Sequence, residues 1–146
     1  MLKLSNLSIR RGARLLVSGL NWQLAAGEVW GVLGANGAGK SSLLQCMAGL
    51  LPSAAGEIEL LGRPLGAYPS RQLARLVSFL AQDQAADLPI RLRDWLLISR
   101  YPQQGLWRHH QPVDEACVEE VLAQTDLQHL ASRWTSELSG GERQRM

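Results

Sequence analysis

The chain opens with apolar residues near every second position, Leu2, Leu4, Leu7 and Ile9 in LKLSNLSI. That spacing predicts a strand with one buried face. LNWQLAAGE (Leu20–Glu28) repeats the pattern and stops at Gly27, so the pair predicts a small antiparallel sheet. VWGVL (Val29–Leu33) is almost unbroken in its apolarity and runs into glycines. It reads as a strand buried on both faces of a parallel sheet. KSSLLQCMAGLL (Lys40–Leu51) predicts a helix stopped by Gly49 and Pro52. GEIELLG (Gly56–Gly62) predicts another strand, SRQLARL (Ser70–Leu76) a short helix and VSFLAQ (Val77–Gln82) a second buried strand.

Beyond Gln82 the alternation gives way to helical spacing, from about Leu88 to Trp134. The clearest helices are Leu92–Arg100 and Val113–Thr125, joined by a loop rich in Pro, Gln and His (Tyr101–Pro112). The expected organisation is an α/β part over residues 1–87, a helical part over 88–136 and a further helix start over 137–146. No repeat or low-complexity tract is visible.

Composition narrows the class. Hydrophobic residues make up 46% of 146 and charged residues 19%, as in a globular domain. A net charge of +2 gives no compositional case for a nucleic-acid partner. Two cysteines, Cys46 and Cys117, read as reduced thiols rather than a disulfide framework. No segment approaches the ~20 apolar residues of a spanning helix, so a membrane link is expected only through a partner.

GANGAGKS (Gly34–Ser41) follows a predicted strand, opens a predicted helix and matches the G-x-x-x-x-G-K-[ST] phosphate loop. Gly34, Gly37 and Gly39 let the backbone turn and aim N–H groups at an anion, with Ala35, Asn36 and Ala38 between them. The helix dipole adds to that field. Lys40 is placed for β- and γ-phosphates, Ser41 for the shell of a Mg²⁺ ion and Ser42 for a further phosphate contact. A turn that merely reverses the chain would need neither the lysine nor the serine.

Near the end, SGGE (Ser139–Glu142) fits a helix capping box. Capping accounts for Ser139 and Glu142 but leaves Gly140 and Gly141 unexplained, since each costs about 1 kcal/mol in a helix relative to Ala. A bare helix start with a serine hydroxyl is also an anion site. From these residues alone the two readings stand level.

Taken in order, the phosphate loop, Gln82 at the end of a buried strand, the helical stretch and LSGGE resemble the nucleotide-binding domain of ABC transporters. Gly34–Ser41 resembles the Walker A loop, Gln82 the Q-loop glutamine and Leu138–Glu142 the family signature. RDWLLISRYPQQGLW and LASRWTSELSGGERQRM further resemble the ATPase subunits of importers for chelated metals such as siderophore iron, haem and vitamin B12. The resemblance implies a P-loop core with an antiparallel β subdomain and a helical subdomain. It implies a head-to-tail pair of such domains that sandwich ATP and Mg²⁺. Gly34–Ser42 of one chain would face Ser139, Gly140 and Gly141 of the other. It gives Gln82 a role at the attacking water and Mg²⁺. It also implies transmembrane permease subunits at the inner face of the cell membrane, with a substrate-binding protein engaged indirectly.

Some positions depart from the family pattern. Arg11 stands where an aromatic often stacks on adenine, and a guanidinium can also stack on a base. Ala35 replaces the commoner proline and Ser42 the commoner threonine. No apolar strand ending in Asp-Glu, and no later switch His, follows the signature, so the chain is expected to be truncated and inactive alone. The alternatives are a soluble ABC ATPase without a membrane partner and a hydrolysis-incompetent nucleotide-binding module. Asp83 and Asp87 read as solvated loop charges, His109 and His110 as loop residues, His129 as a helix-surface residue, and the five tryptophans as packing.

Overall fold

The computed structural model describes residues 1–82, 89–103 and 111–146. Asp83, Asp87, Trp107, His109 and His110 lie outside the described residues, as does the expected boundary at 87/88. Contacts divide the chain into two compact units, Met1–Phe79 and Leu80–Met146.

The first unit is a four-stranded antiparallel sheet in the order β2-β1-β3-β4. Its strands are β1 (Leu2–Arg11), β2 (Arg14–Leu24), β3 (Ala55–Leu60) and the short β4 (Arg63–Pro64). Central β1 pairs on both edges, Leu4 facing Trp22 on one side and Ile58 on the other. Its inward residues Leu4, Leu7 and Ile9 are buried, as the alternation predicts. They pack with Leu43 and Cys46 of α1 (Lys40–Met47), with Ile58, and with Leu65. Cys46 is therefore packing, and burial pushes its thiol pKa up. The sheet is irregular where β1 meets β3: the register shifts between Ser5 and Ser8, and Asn6 takes φ 50°. Gly56, at φ 80°, lies so close that a side chain would collide with the Asn6 carbonyl oxygen. Helix α2 (Ser70–Leu76) has the predicted bounds, and Leu73 packs on the same core.

Two expected strands are absent. Val29–Leu33 and Val77–Leu80 form no strand. Val29 is 97% and Leu33 94% exposed, while Val32 reaches the core. The apolar run is strand-like in composition, but a strand exists only where a neighbour pairs with it. Neither run has one here. Trp30, expected to be packed, is 56% exposed. It stacks edge-on against Trp22 with ring centroids 5.4 Å apart, and its Nε1 donates to Glu28. The Ala25 N–H and then this indole hold the Glu28 carboxyl pKa low.

The second unit contains α3 (Leu92–Ser99), α4 (Pro112–Gln124) and α5 (Gly140–Arg145). Leu92, Leu96 and Leu97 of α3 meet Val118 and Leu122 of α4, with Leu127, Leu130 and Leu138 closing the core. The first N–H groups of α3 are satisfied by chain rather than by a side-chain cap: Leu92 N donates to Arg133 O and Arg93 N to Ala131 O. Arg100 pairs at 3.2 Å with Asp114, which is 3% exposed. Asp114 also accepts from Gln111 N, capping α4. Trp134 is 42% exposed, with the Arg91 guanidinium over its ring. Among the described residues no helix is long and apolar enough to cross a membrane.

The exposure of Val29 and Leu33 yields a test. In this 146-residue chain, Val29→Ser and Leu33→Ser should each change unfolding free energy by less than about 0.5 kcal/mol, as at an exposed site. In a strand buried on both faces each would cost about 1.5–3 kcal/mol. Urea unfolding of the two variants separates the cases, and the larger loss would show that the run is packed.

Candidate functional site

The phosphate-loop sequence forms an open turn leading into α1. Residues 33–38 are exposed. Ala38 N donates back to Ala35 O at 3.2 Å, and the helix proper begins with Leu43 N to Gly39 O at 2.8 Å. Gly39 is the N-cap, at φ 94°, with no side-chain cap. That conformation is left-handed and suits glycine. Because no side chain caps α1, its first N–H groups are left for another acceptor.

The Lys40 ammonium folds back over the loop, donating to Gly34 O at 2.8 Å and Ala35 O at 2.9 Å. It is thereby held at the mouth of the turn whose amides it would assist. Ser41 is exposed on the first turn of α1, whereas Ser42 is 5% exposed and turned to the core beside Leu43 and Cys46. The loop and helix start fit a polyphosphate: a glycine turn, a bare helix N-terminus, one ammonium and one free-facing hydroxyl. Mg²⁺ prefers one or two protein oxygens with phosphates and waters, and Ser41 offers such an oxygen. Among the described residues no group of three His, Cys, Asp or Glu is placed to hold a metal ion.

Arg11 ends β1 opposite Arg14 at the tip of the β1–β2 hairpin, exposed. Gln82 sits in an exposed bend at the start of the second unit. A cavity of about 930 Å³ opens elsewhere in the first unit, among Leu51, Leu65, Leu73, Val77 and Phe79. Its lining includes no residue of the glycine loop and offers apolar surface rather than phosphate chemistry.

In the second unit the SGGE stretch is a formed capping box. The Ser139 Oγ accepts from Glu142 N at 3.3 Å, and the Glu142 carboxylate accepts from Ser139 N at 2.6 Å. Leu138, 4% exposed, anchors the turn in the core. Arg143 donates to Ser136 O and Arg145 to Thr125 O, which fastens the far side of α5. A side chain at Gly140 or Gly141 would meet nothing within 4 Å. The two glycines leave the helix start uncovered without any internal packing reason. The hydroxyl and backbone of Ser139, then Arg133 and Arg145, hold the Glu142 carboxyl pKa low.

Comparison with known proteins agrees with this layout. Residues 17–146 match the family model described as ABC transporter, and the chain belongs to that family. A Hemin import ATP-binding protein HmuV of Bordetella avium is 39% identical over 146 residues, covering 99% of this chain and 54% of that protein. The same-named protein of Pseudomonas entomophila is 40% identical over 147 residues, covering 100% and 56%. The chain thus spans about half the length of the curated relatives it matches. Among solved structures, a chain from a transporter described as metal-chelate type, in an inward-facing conformation, superposes with a TM-score of 0.76. It shares 29% identity over 99% of this chain and 53% of that one. An ATP-binding cassette solved as a post-hydrolysis dimer with ADP and phosphate gives 0.80 at 20% identity, over 99% and 66%, a likeness of fold.

The depressed Glu142 pKa has a signed consequence. Its stabilising effect on the cap is present above the pKa of an unfolded glutamate and is lost as pH falls through the lower folded value. Followed by NMR, the Glu142 carboxyl should titrate below a free glutamate, and Ser139→Ala should move it back up. An ordinary midpoint in the unsubstituted chain would mean that the capping box does not persist in solution.

Proposed function

We propose that this chain is the nucleotide-binding part of an ATP-driven importer and that its cargo is a chelated metal of the haem class. The supporting observation is that relatives 39–40% identical across essentially all of this chain carry the name hemin import ATP-binding protein. The open glycine turn with Lys40 over it is the matching chemistry.

In this reading Gly34, Ala35, Asn36, Gly37, Ala38 and Gly39 wrap the β- and γ-phosphates with backbone N–H groups. Lys40 exchanges its two carbonyl partners for phosphate oxygens and Ser41 ligates Mg²⁺. Ser42 stands behind the loop, its burial favouring a supporting part over an outer contact. Bound Mg²⁺ supplies charge neutralisation at the transferring phosphoryl group. Gln82 orients the attacking water and the metal shell, and Arg11 stacks on the base. Ser139, Gly140 and Gly141 hold the γ-phosphate of nucleotide seated on a partner chain, in a head-to-tail pair. A helix start already fixed by Leu138 and Glu142 needs little reordering to do so. Residues from about Leu88 to Trp134 engage transmembrane permease subunits at the inner face of the membrane, with a substrate-binding protein acting from the other side. Hydrolysis weakens the clamp because the γ-phosphate contacts differ between the two states. The 146 residues contain no apolar strand ending in Asp-Glu, so they bind nucleotide without turning it over.

Calorimetry on the chain tests this. Mg-ATP should bind, and Lys40→Ala should weaken binding by about ten- to a hundred-fold, the value of a charge-assisted contact. Phosphate release should be absent from the chain alone and appear once it is fused to the C-terminal half of a hemin-import relative. Failure of the unsubstituted chain to bind nucleotide would sink the reading.

A further inference from the structure

The glycine loop is not carried by α1 alone. Strand β2 pairs with β1 as Val17 to Ile9 and then Leu15 to Arg10, so Leu16 is an extra residue bulged out of the ladder. That bulge presses on the N-cap of α1. A Cβ placed on Gly39 would lie 3.0 Å from the Leu16 Cβ and 3.7 Å from its carbonyl oxygen. The near atoms of Leu16 are its Cβ and backbone. A bulge re-aims one residue out of the regular alternation, and here it aims at the residue where the loop becomes a helix.

We propose that Leu16 is a positioning residue for polyphosphate: the bulge fixes Gly39 from behind and so sets the direction of the loop's N–H groups, without touching the ligand. This rests on the phosphate-loop reading above. Three consequences separate it from a general packing role. The contact needs a Cβ at position 16, so alanine suffices and glycine does not. The effect acts on phosphate groups, so it is the same with or without a nucleoside. It also couples to position 39, where an added methyl would meet the same atom.

The test is calorimetric titration of the 146-residue chain with Mg²⁺-tripolyphosphate and with Mg-ATP, each Kd referred to the folded fraction. Leu16→Gly should weaken both ligands equally, by roughly ten-fold, the scale on which small misplacements act. Leu16→Ala should stay within about two-fold of the parent. Leu15→Gly, a paired residue on the same strand, should do the same, because it suffers the same loss of strand propensity without the contact. Adding Leu16→Gly to Gly39→Ala should recover part of the affinity that Gly39→Ala loses, a coupling that survives even if Leu16→Gly alone folds poorly. Equal loss in Leu16→Ala or Leu15→Gly, loss for ATP only, or strict additivity at positions 16 and 39 would overturn the proposal. Binding of neither ligand by the unsubstituted chain would remove the phosphate-loop reading itself, whereas parental affinity in Leu16→Gly would remove this inference alone.

Discussion

Strand β1 is hydrogen-bonded along both edges and presents Leu4, Leu7 and Ile9 to one face, and the first unit is arranged around that double constraint. A strand paired on both sides cannot slip without turning its buried face to water. Its register therefore fixes β2 on one flank and β3 on the other. Helix α1 lies against the buried face through Leu43 and Cys46. The glycine turn hangs between a helix that β1 packs and a strand that β1 pairs. Its own backbone contributes little to its order, because its N–H groups remain unpaired. Rigidity must come from the frame.

The frame and the loop were legible in the sequence to different degrees, for physical reasons. Alternation at Leu2, Leu4, Leu7 and Ile9 gave away β1, because one buried face writes a period of two. The start of α1 at Lys40 and both bounds of α2 were readable from glycine and proline punctuation. The SGGE cap was readable because capping is a contact between residues three apart. Val29–Leu33 misled, since an apolar run records that a segment can be buried and is silent on whether a partner strand is there to bury it. Trp30 misled for the same reason. The Leu16 bulge left no mark in the pattern. Register is decided between strands, and LLVSGL reads alike with or without an extra residue.

The two glycine-rich stretches solve one electrostatic problem with opposite means. At Gly39 the helix start has no side-chain cap, and the turn is stabilised from outside. At Ser139 the helix start is capped from within, and Leu138, Arg143 and Arg145 fasten it to its own unit. The first arrangement leaves the most N–H groups for a ligand but depends on distant residues. The second gives up one donor to Ser139 and gains a surface that is ordered before anything binds.

That contrast bears on how a clamp made of both would work. A jaw already ordered by its own capping box pays little entropy on closing, so its affinity for a phosphate is spent on the contact itself. A turn whose lysine rests on Gly34 and Ala35 carbonyls must first give up those two bonds. Binding there exchanges one set of charge-assisted contacts for another, and the net gain comes from the ligand's extra charge and from the freed amides. The loop is thus the step at which nucleotide is discriminated by charge, and the capped helix the step at which its presence is registered. In that division of labour, loosening the bulge at Leu16 blunts the first step and leaves the second intact.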